Sequence, residues 1–167
     1  MRLSKRGEYA LRALIDLGIA REQGRAMVQI SELARQENLP VKFLEAILVE
    51  LKNLGYLDSK RGKHGGYFLK QPMDTIKIGT VVRQLEGPLA PISCVSVTAY
   101  KRCSCPDEAH CGLRMLMLDV RNAIADILDQ HTLAETVATT LQKLERDKCK
   151  IPFAEKPAPR KPAARRK

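Results

Sequence analysis

Residues 30–70, ISELARQENLPVKFLEAILVELKNLGYLDSKRGKHGGYFLK, decide the fold. Ser31 can cap the free amides of Glu32, Leu33 and Ala34 with its hydroxyl, so a short helix is expected from there to about Asn38. Pro40 has no amide hydrogen to leave unsatisfied and suits the first turn of a following helix. In that helix Leu44, Ile47, Leu48, Leu51 and Leu54 repeat at the spacing of one apolar stripe, and Gly55 ends it. The link from Asn38 to Pro40 is so short that the two helices must cross steeply, as in a helix-turn-helix. Two short strands, residues 56–59 and 67–70, then flank Lys60-Arg61-Gly62-Lys63-His64-Gly65-Gly66, a glycine-rich cationic turn. A basic hairpin directly after a helix-turn-helix is a wing. The chain is therefore expected to be mainly α, a winged helix-turn-helix domain with a small β-hairpin wing and a long C-terminal dimerisation helix.

Upstream, Ala10, Ala13, Leu14, Leu17 and Gly18 give residues 5–21 the period of an amphipathic helix, broken by Gly24. Downstream, a helix is expected over about residues 78–85, stopped at Gly87-Pro88. The stretch 88–110 is long for a structureless loop in a compact domain, and such loops are usually functional or mobile. A long helix starts at Gly112, with Leu113, Leu116, Met117, Val120, Ile124, Ile127 and Leu128 on one broad face. Thr132 and Glu135 form a capping box for a last helix striped by Val137, Leu141 and Leu144. The expected organisation is a DNA-binding domain at 1–87, a cysteine-rich loop at 88–111, dimerisation helices at 112–148 and a disordered basic tail at 149–167.

The 167 residues, 44% of them hydrophobic, can bury a real core. No apolar run approaches the roughly 18 residues of a membrane span, and the amino terminus does not read as a signal peptide, so a cytoplasmic protein is expected. The net charge is +10, of which residues 150–167 supply seven basic side chains against one acidic. Such an excess suits a polyanionic partner. Nothing points to an enzyme: the chain has no phosphate-binding glycine loop, no nucleophile elbow and no convincing acid–base pair.

A recognition helix reads base edges with its amino-terminal residues, here Pro40, Val41, Lys42, Phe43, Glu45 and Ala46. Lys42 can meet phosphate or guanine, and Glu45 can accept from a cytosine amino group. Arg61 and Lys63 on the wing can enter a minor groove or neutralise phosphates. The competing view is a solvated helix with a hairpin kept soluble by charge, in which Phe43 simply packs into the core.

Four of five cysteines, Cys94, Cys103, Cys105 and Cys111, crowd into one segment, with gaps of eight, one and five residues. Clustered thiols in a reducing compartment point to metal or redox chemistry, and thiolates ligate soft metals and iron–sulfur clusters. Structural zinc sites usually pair thiols two residues apart, a spacing absent here, so a cluster-binding loop fits best. Zinc, a thiol switch or inert cysteines are the alternatives. His110 beside Cys111 is a further potential ligand, or merely exposed, while Cys149 and His131 read as incidental. The face of the long helix is too wide for the small domain to cover, so a second copy is expected to bury it and set two reading heads on a pseudo-palindromic site.

Met1-Arg2-Leu3-Ser4 with Gly7, Tyr9 and Ala10, the run Phe43-Leu44-Glu45, the glycines around Arg61 with Tyr67, and the cysteine loop before a long helix resemble the Rrf2 family of winged-helix transcription regulators over about residues 1–144. The resemblance implies a homodimer on double-stranded operator DNA. It also implies an iron–sulfur cluster, [2Fe-2S] or [4Fe-4S], in the loop, as many members use one to sense iron, nitric oxide or redox state. Cys105 and Cys111 match the spacing of the last two family cysteines, and Cys94 takes the place of the first. Where cluster-assembly regulators carry a histidine ligand this chain has Arg114, which cannot ligate iron. Other members use a first-helix carboxylate from the partner subunit. Glu8 holds that position, with Cys103 as the competing fourth ligand.

Overall fold

In the computed structural model, which describes residues 3–154, six helices and one hairpin follow in the expected order. Helix α1 (Lys5–Glu22) opens with the Ser4 hydroxyl accepting from the Gly7 amide, and buries Ala10, Ala13, Leu14, Leu17 and Gly18 as its periodicity predicts. Helices α2 (Ile30–Gln36) and α3 (Val41–Asn53) form the helix-turn-helix, closed on α1 by Leu33, Leu44, Ile47, Leu48 and Leu51.

Two boundaries differ from the sequence reading. Ser31 is not the cap of α2. Gln29 holds the N-cap position, with no side-chain capping bond, and Ser31 lies inside the first turn. The cause is tertiary: Val28 exchanges backbone hydrogen bonds with Tyr67 (3.0 and 2.8 Å), which fixes extended chain up to the residue before the helix. Pro40 is itself the N-cap of α3 rather than part of its first turn, since its ring-fixed φ of −60° combines with an extended ψ of 133°. Gly55 follows the α3 cap at φ +85°, the left-handed conformation expected of it.

The wing pairs β1 (Leu57–Lys60) with β2 (Gly66–Leu69) antiparallel, Leu57 opposite Leu69 and Lys60 opposite Gly66. Its narrow tip needs a residue without a side chain: a Cβ on Gly65 would lie 2.1 Å from the Lys60 carbonyl oxygen. Lys52 ties the end of α3 to β1 through Asp58 (2.9 Å) and the Ser59 hydroxyl (2.8 Å).

Helix α4 (Ile78–Glu86) leads into the irregular segment before α5 (Gly112–Gln130). A small second cluster of Val82, Leu89 and Ala125 docks α5 on α4, and Arg83 clamps Asp129 with two bonds of 2.6 and 2.7 Å. The turn at Ser93–Val95 also packs on α5, yet Leu113, Met115, Leu116, Val120 and Ile127 are exposed. Helix α6 (Leu133–Arg146), opened by the expected Thr132–Glu135 capping box, returns to the main core, where Leu133 and Val137 are fully buried with residues of α1. Burying each such side chain contributes about 1.5–3 kcal/mol, which holds α6 to the head rather than to α5.

The segment after Cys149 does bury something, contrary to expectation. Phe153 and Ile151 pack onto the main core. The rest of the expected tail lies outside the described residues.

Candidate functional site

The outer face of α3 is built by subtraction. Leu44, Ile47, Leu48 and Leu51 point inward, which leaves Val41, Lys42, Phe43, Glu45, Ala46 and Val49 facing solvent beside exposed Pro40. Phe43 is 41% exposed and rests edge-on against Tyr9 (ring centroids 5.8 Å apart), so it is neither a core residue nor a free one. On the wing, Lys60, Arg61 and Lys63 are exposed, and none forms an ion pair among the described residues. Gln29 donates from Nε2 to the Lys63 carbonyl (3.0 Å), holding the wing tip against the start of α2. An exposed helix face and a wing whose cations form no ion pair among the described residues are the two features a groove-reading helix with a backbone-contacting wing requires. Val49 and Gln29 belong to this surface and escape a reading that stops at the first turn of α3. The period from Glu45 would have found Val49, whereas the bond from Gln29 is long-range.

The segment between α4 and α5 gathers four thiols. A short 3-10 turn (Ser93–Val95) buries Cys94, while Cys103, Cys105 and Cys111 are partly exposed. Cys105 and Cys111 lie sulfur to sulfur at 3.8 Å. Cys103 bridges the set, near enough to influence both Cys94 and Cys105. Polar contacts shape the rest of the loop: Glu108 accepts from the Tyr100 hydroxyl (2.8 Å) and pairs with Arg114 (3.3 Å), and Asp107 holds His110 at 2.7 Å. Arg114 therefore acts as a strut for the loop. His110 turns outward to Asp107, and Cys149 lies apart near the Asp147 carbonyl.

The close pair is electronically unequal. Cys111 is the N-cap of α5, and the Arg114 amide lowers its pKa although no full capping bond forms; the Cys105 thiol and the Leu113 amide add to the effect. The Cys105 thiol is pushed up to about 12 by hydrogen bonding with Cys103 and Cys111 and by burial. Burial, and then the charge of Cys103, raise Cys94.

A family model described as an iron-dependent transcriptional regulator, Rrf2, matches residues 3–139. The chain belongs to the Rrf2 family. A putative HTH-type transcriptional regulator, rrf2-like, of Rhodobacter capsulatus is 37% identical over 139 residues, covering 81% of this chain and 92% of that protein. Among solved structures, CymR, the global cysteine regulator of B. subtilis, superposes with a TM-score of 0.67 at 29% identity over 83% of this chain and 98% of its own. IscR of T. potens gives 0.64 at 26% identity over 90% and 93%. The protein is a transcriptional regulator and not an enzyme, and the expected winged-helix fold holds. No helix among the described residues is long and apolar enough to cross a membrane.

For an Rrf2 protein the question is whether these thiols fit an iron–sulfur cluster. Two thiolates on one tetrahedral metal with bonds near 2.3 Å stand roughly 3.8 Å apart, the separation of Cys105 and Cys111. The donors are soft, Cys103 adjoins Cys105 and Cys94 adjoins Cys103, so the donor set suits iron–sulfur chemistry. Among the described residues no three His, Cys, Asp or Glu side chains already form a metal-holding group. The loop presents a pair with two neighbours rather than a finished cage. Glu8 makes its contacts on α1, with Lys5 (2.8 Å) and Arg12 (3.7 Å), leaving Cys103 as the fourth thiol adjoining the pair in one chain.

Proposed function

We propose that this Rrf2 regulator reads a pseudo-palindromic operator as a homodimer and senses iron, redox state or nitric oxide through an iron–sulfur cluster held by Cys94, Cys105 and Cys111, with Cys103 or the partner's Glu8 completing the set. The observation that carries the reading is the 3.8 Å Cys105–Cys111 pair inside a loop joined directly to α5. The exposed apolar face of α5 is where the second copy would dock. Each head would set the surface from Pro40 to Ala46 in a major groove, with Arg61 and Lys63 beside it.

A bound cluster would supply redox and ligand-exchange chemistry at the loop. The chain's own residues do the rest. Glu108, tied to Tyr100 and Arg114, keeps the loop folded against α5, and Lys101 donates its amide to the Ser93 carbonyl (3.3 Å) to close the turn that carries Cys94. Ordering this joint fixes the angle between head and α5, and with it the register of two half-sites.

A second reading rests on the sulfur-to-sulfur approach of Cys105 and Cys111 at 3.8 Å, to which their unequal acidities add. A thiolate-prone sulfur next to a protonated one is the arrangement of a thiol pair that closes to a disulfide when two electrons and two protons are removed by an oxidant. Operator selection from random DNA with the full chain, followed by affinity measurements on cluster-loaded and metal-free protein, tests the first reading. Cluster loading should change operator affinity, and Arg61→Ala should weaken it by roughly 1–3 kcal/mol. Equal affinity of loaded and metal-free protein, with a response only to disulfide formation, would favour the second.

A further inference from the structure

Beside the cysteine segment lies a cavity of about 140 Å³ that the proposed sensing does not use. It opens where three parts of the chain meet: Arg83 of α4, Ser96 and Thr98 of the loop, and Arg121 of α5, over an apolar floor of Leu89 and Ala125. Two arginines thus line one small space. They differ in state. Arg83 is already neutralised by its two bonds to Asp129. The Arg121 Nε is shielded from water and has no hydrogen-bond partner among the described residues, and no carboxylate pairs with it. A buried donor left without an acceptor is unfavourable, and its site calls for an anion or polar group.

We propose that this cavity binds a small organic carboxylate. A guanidinium presents a planar fork matched to a carboxylate, and the Ser96 and Thr98 hydroxyls can donate to its oxygens. Ser96 is available for this because its oxygen already accepts the Ala99 amide (3.0 Å), which leaves its proton free. Leu89 and Ala125 meet the ligand's carbon atoms. Cavities of about 150 Å³ take a benzene-sized molecule, so a ligand of roughly six heavy atoms fits. Its carboxylate would tie loop to α5 and so act on the same joint as the cysteines, giving the regulator a second, metabolite-type input.

The test needs no iron, so its outcome is separate from that of the cluster. Thermal melting of the full chain is followed with sodium pyruvate, sodium lactate or sodium sulfate against sodium chloride at equal ionic strength. The expected result is a saturable rise in Tm with pyruvate or lactate and not with sulfate. Arg121→Gln should weaken the carboxylate response at least tenfold. Thr98→Val, which keeps the guanidinium and removes one hydroxyl, should weaken it less and serves if Arg121→Gln does not fold. Carboxylates no better than chloride, sulfate as effective as lactate, or an Arg121→Gln response equal to the parent's would each overturn the proposal.

Discussion

Asp16 lies on α1 at 6% exposure, with its Oδ2 lacking a hydrogen-bond partner among the described residues. Burial raises its pKa to about 8, helped by the charge of the nearby Glu37 carboxylate and opposed by Arg12. Arg12 pairs with Glu37 at 2.5 Å and lies over the Tyr9 ring, which makes the T-shaped contact with Phe43 on α3. A buried proton thus connects through Glu37, Arg12 and Tyr9, four contacts in all, to Phe43 on the outer face of α3. An unfolded aspartate ionises near 3.9, so between about pH 4 and pH 8 the folded chain holds a proton that the unfolded chain has released. Stability therefore declines as pH rises through that window and levels off above it. Asp16→Asn removes the ionisation at nearly constant shape. Its melting temperature should vary less between about pH 5 and pH 8, with the largest gain over the parent at the alkaline end. Parallel pH profiles for the two proteins would contradict this account.

At the scale of elements, the wing depends on backbone that cannot make room. Gly65→Ala would place a carbon against the Lys60 carbonyl, so the tip carrying Arg61 and Lys63 must shift. Because that tip is exposed, the melting temperature should change little while operator affinity, read by gel shift, falls at least tenfold. Intact affinity would show that the wing does not need its tight turn. The helices, the hairpin and the Thr132 capping box were legible because each is specified by neighbours in sequence. Ser31 misplaced the start of α2 because the bridge from Val28 to Tyr67, nearly forty residues away in sequence, sets the entry to that helix, while Pro40 misplaced α3 by one residue because its ψ is extended. Phe153 was invisible for the same reason: a lone aromatic among prolines and lysines carries no period, and only the core it meets explains it.

For the whole molecule, the relation between α5 and the rest is decisive. Its inner face rests on α4 through a small cluster and the Arg83–Asp129 clamp, while Leu113, Leu116, Val120 and Ile127 remain uncovered. If a second copy covers them, Leu116→Glu should shift sedimentation from dimer to monomer and abolish binding to a two-half-site operator, with the head still folded. A parent protein that sediments as a monomer would remove the paired-head geometry. The four thiols could be listed from sequence. Their division into a 3.8 Å pair and two neighbours could not, because it follows from where Glu108 and Arg114 pin the loop and from the position of Cys111 at the start of α5. The cavity at Arg121 was likewise beyond reach, since it joins residues of three separate segments. The most direct measurement is the content of iron, acid-labile sulfide and zinc per chain in protein prepared without oxygen, with its visible absorption. Iron and sulfide in matching amounts, colour that fades on exposure to air, and loss of both in Cys105→Ser are the predicted result. Colourless protein with stoichiometric zinc, or with no metal after reconstitution with ferrous iron and sulfide, would contradict it.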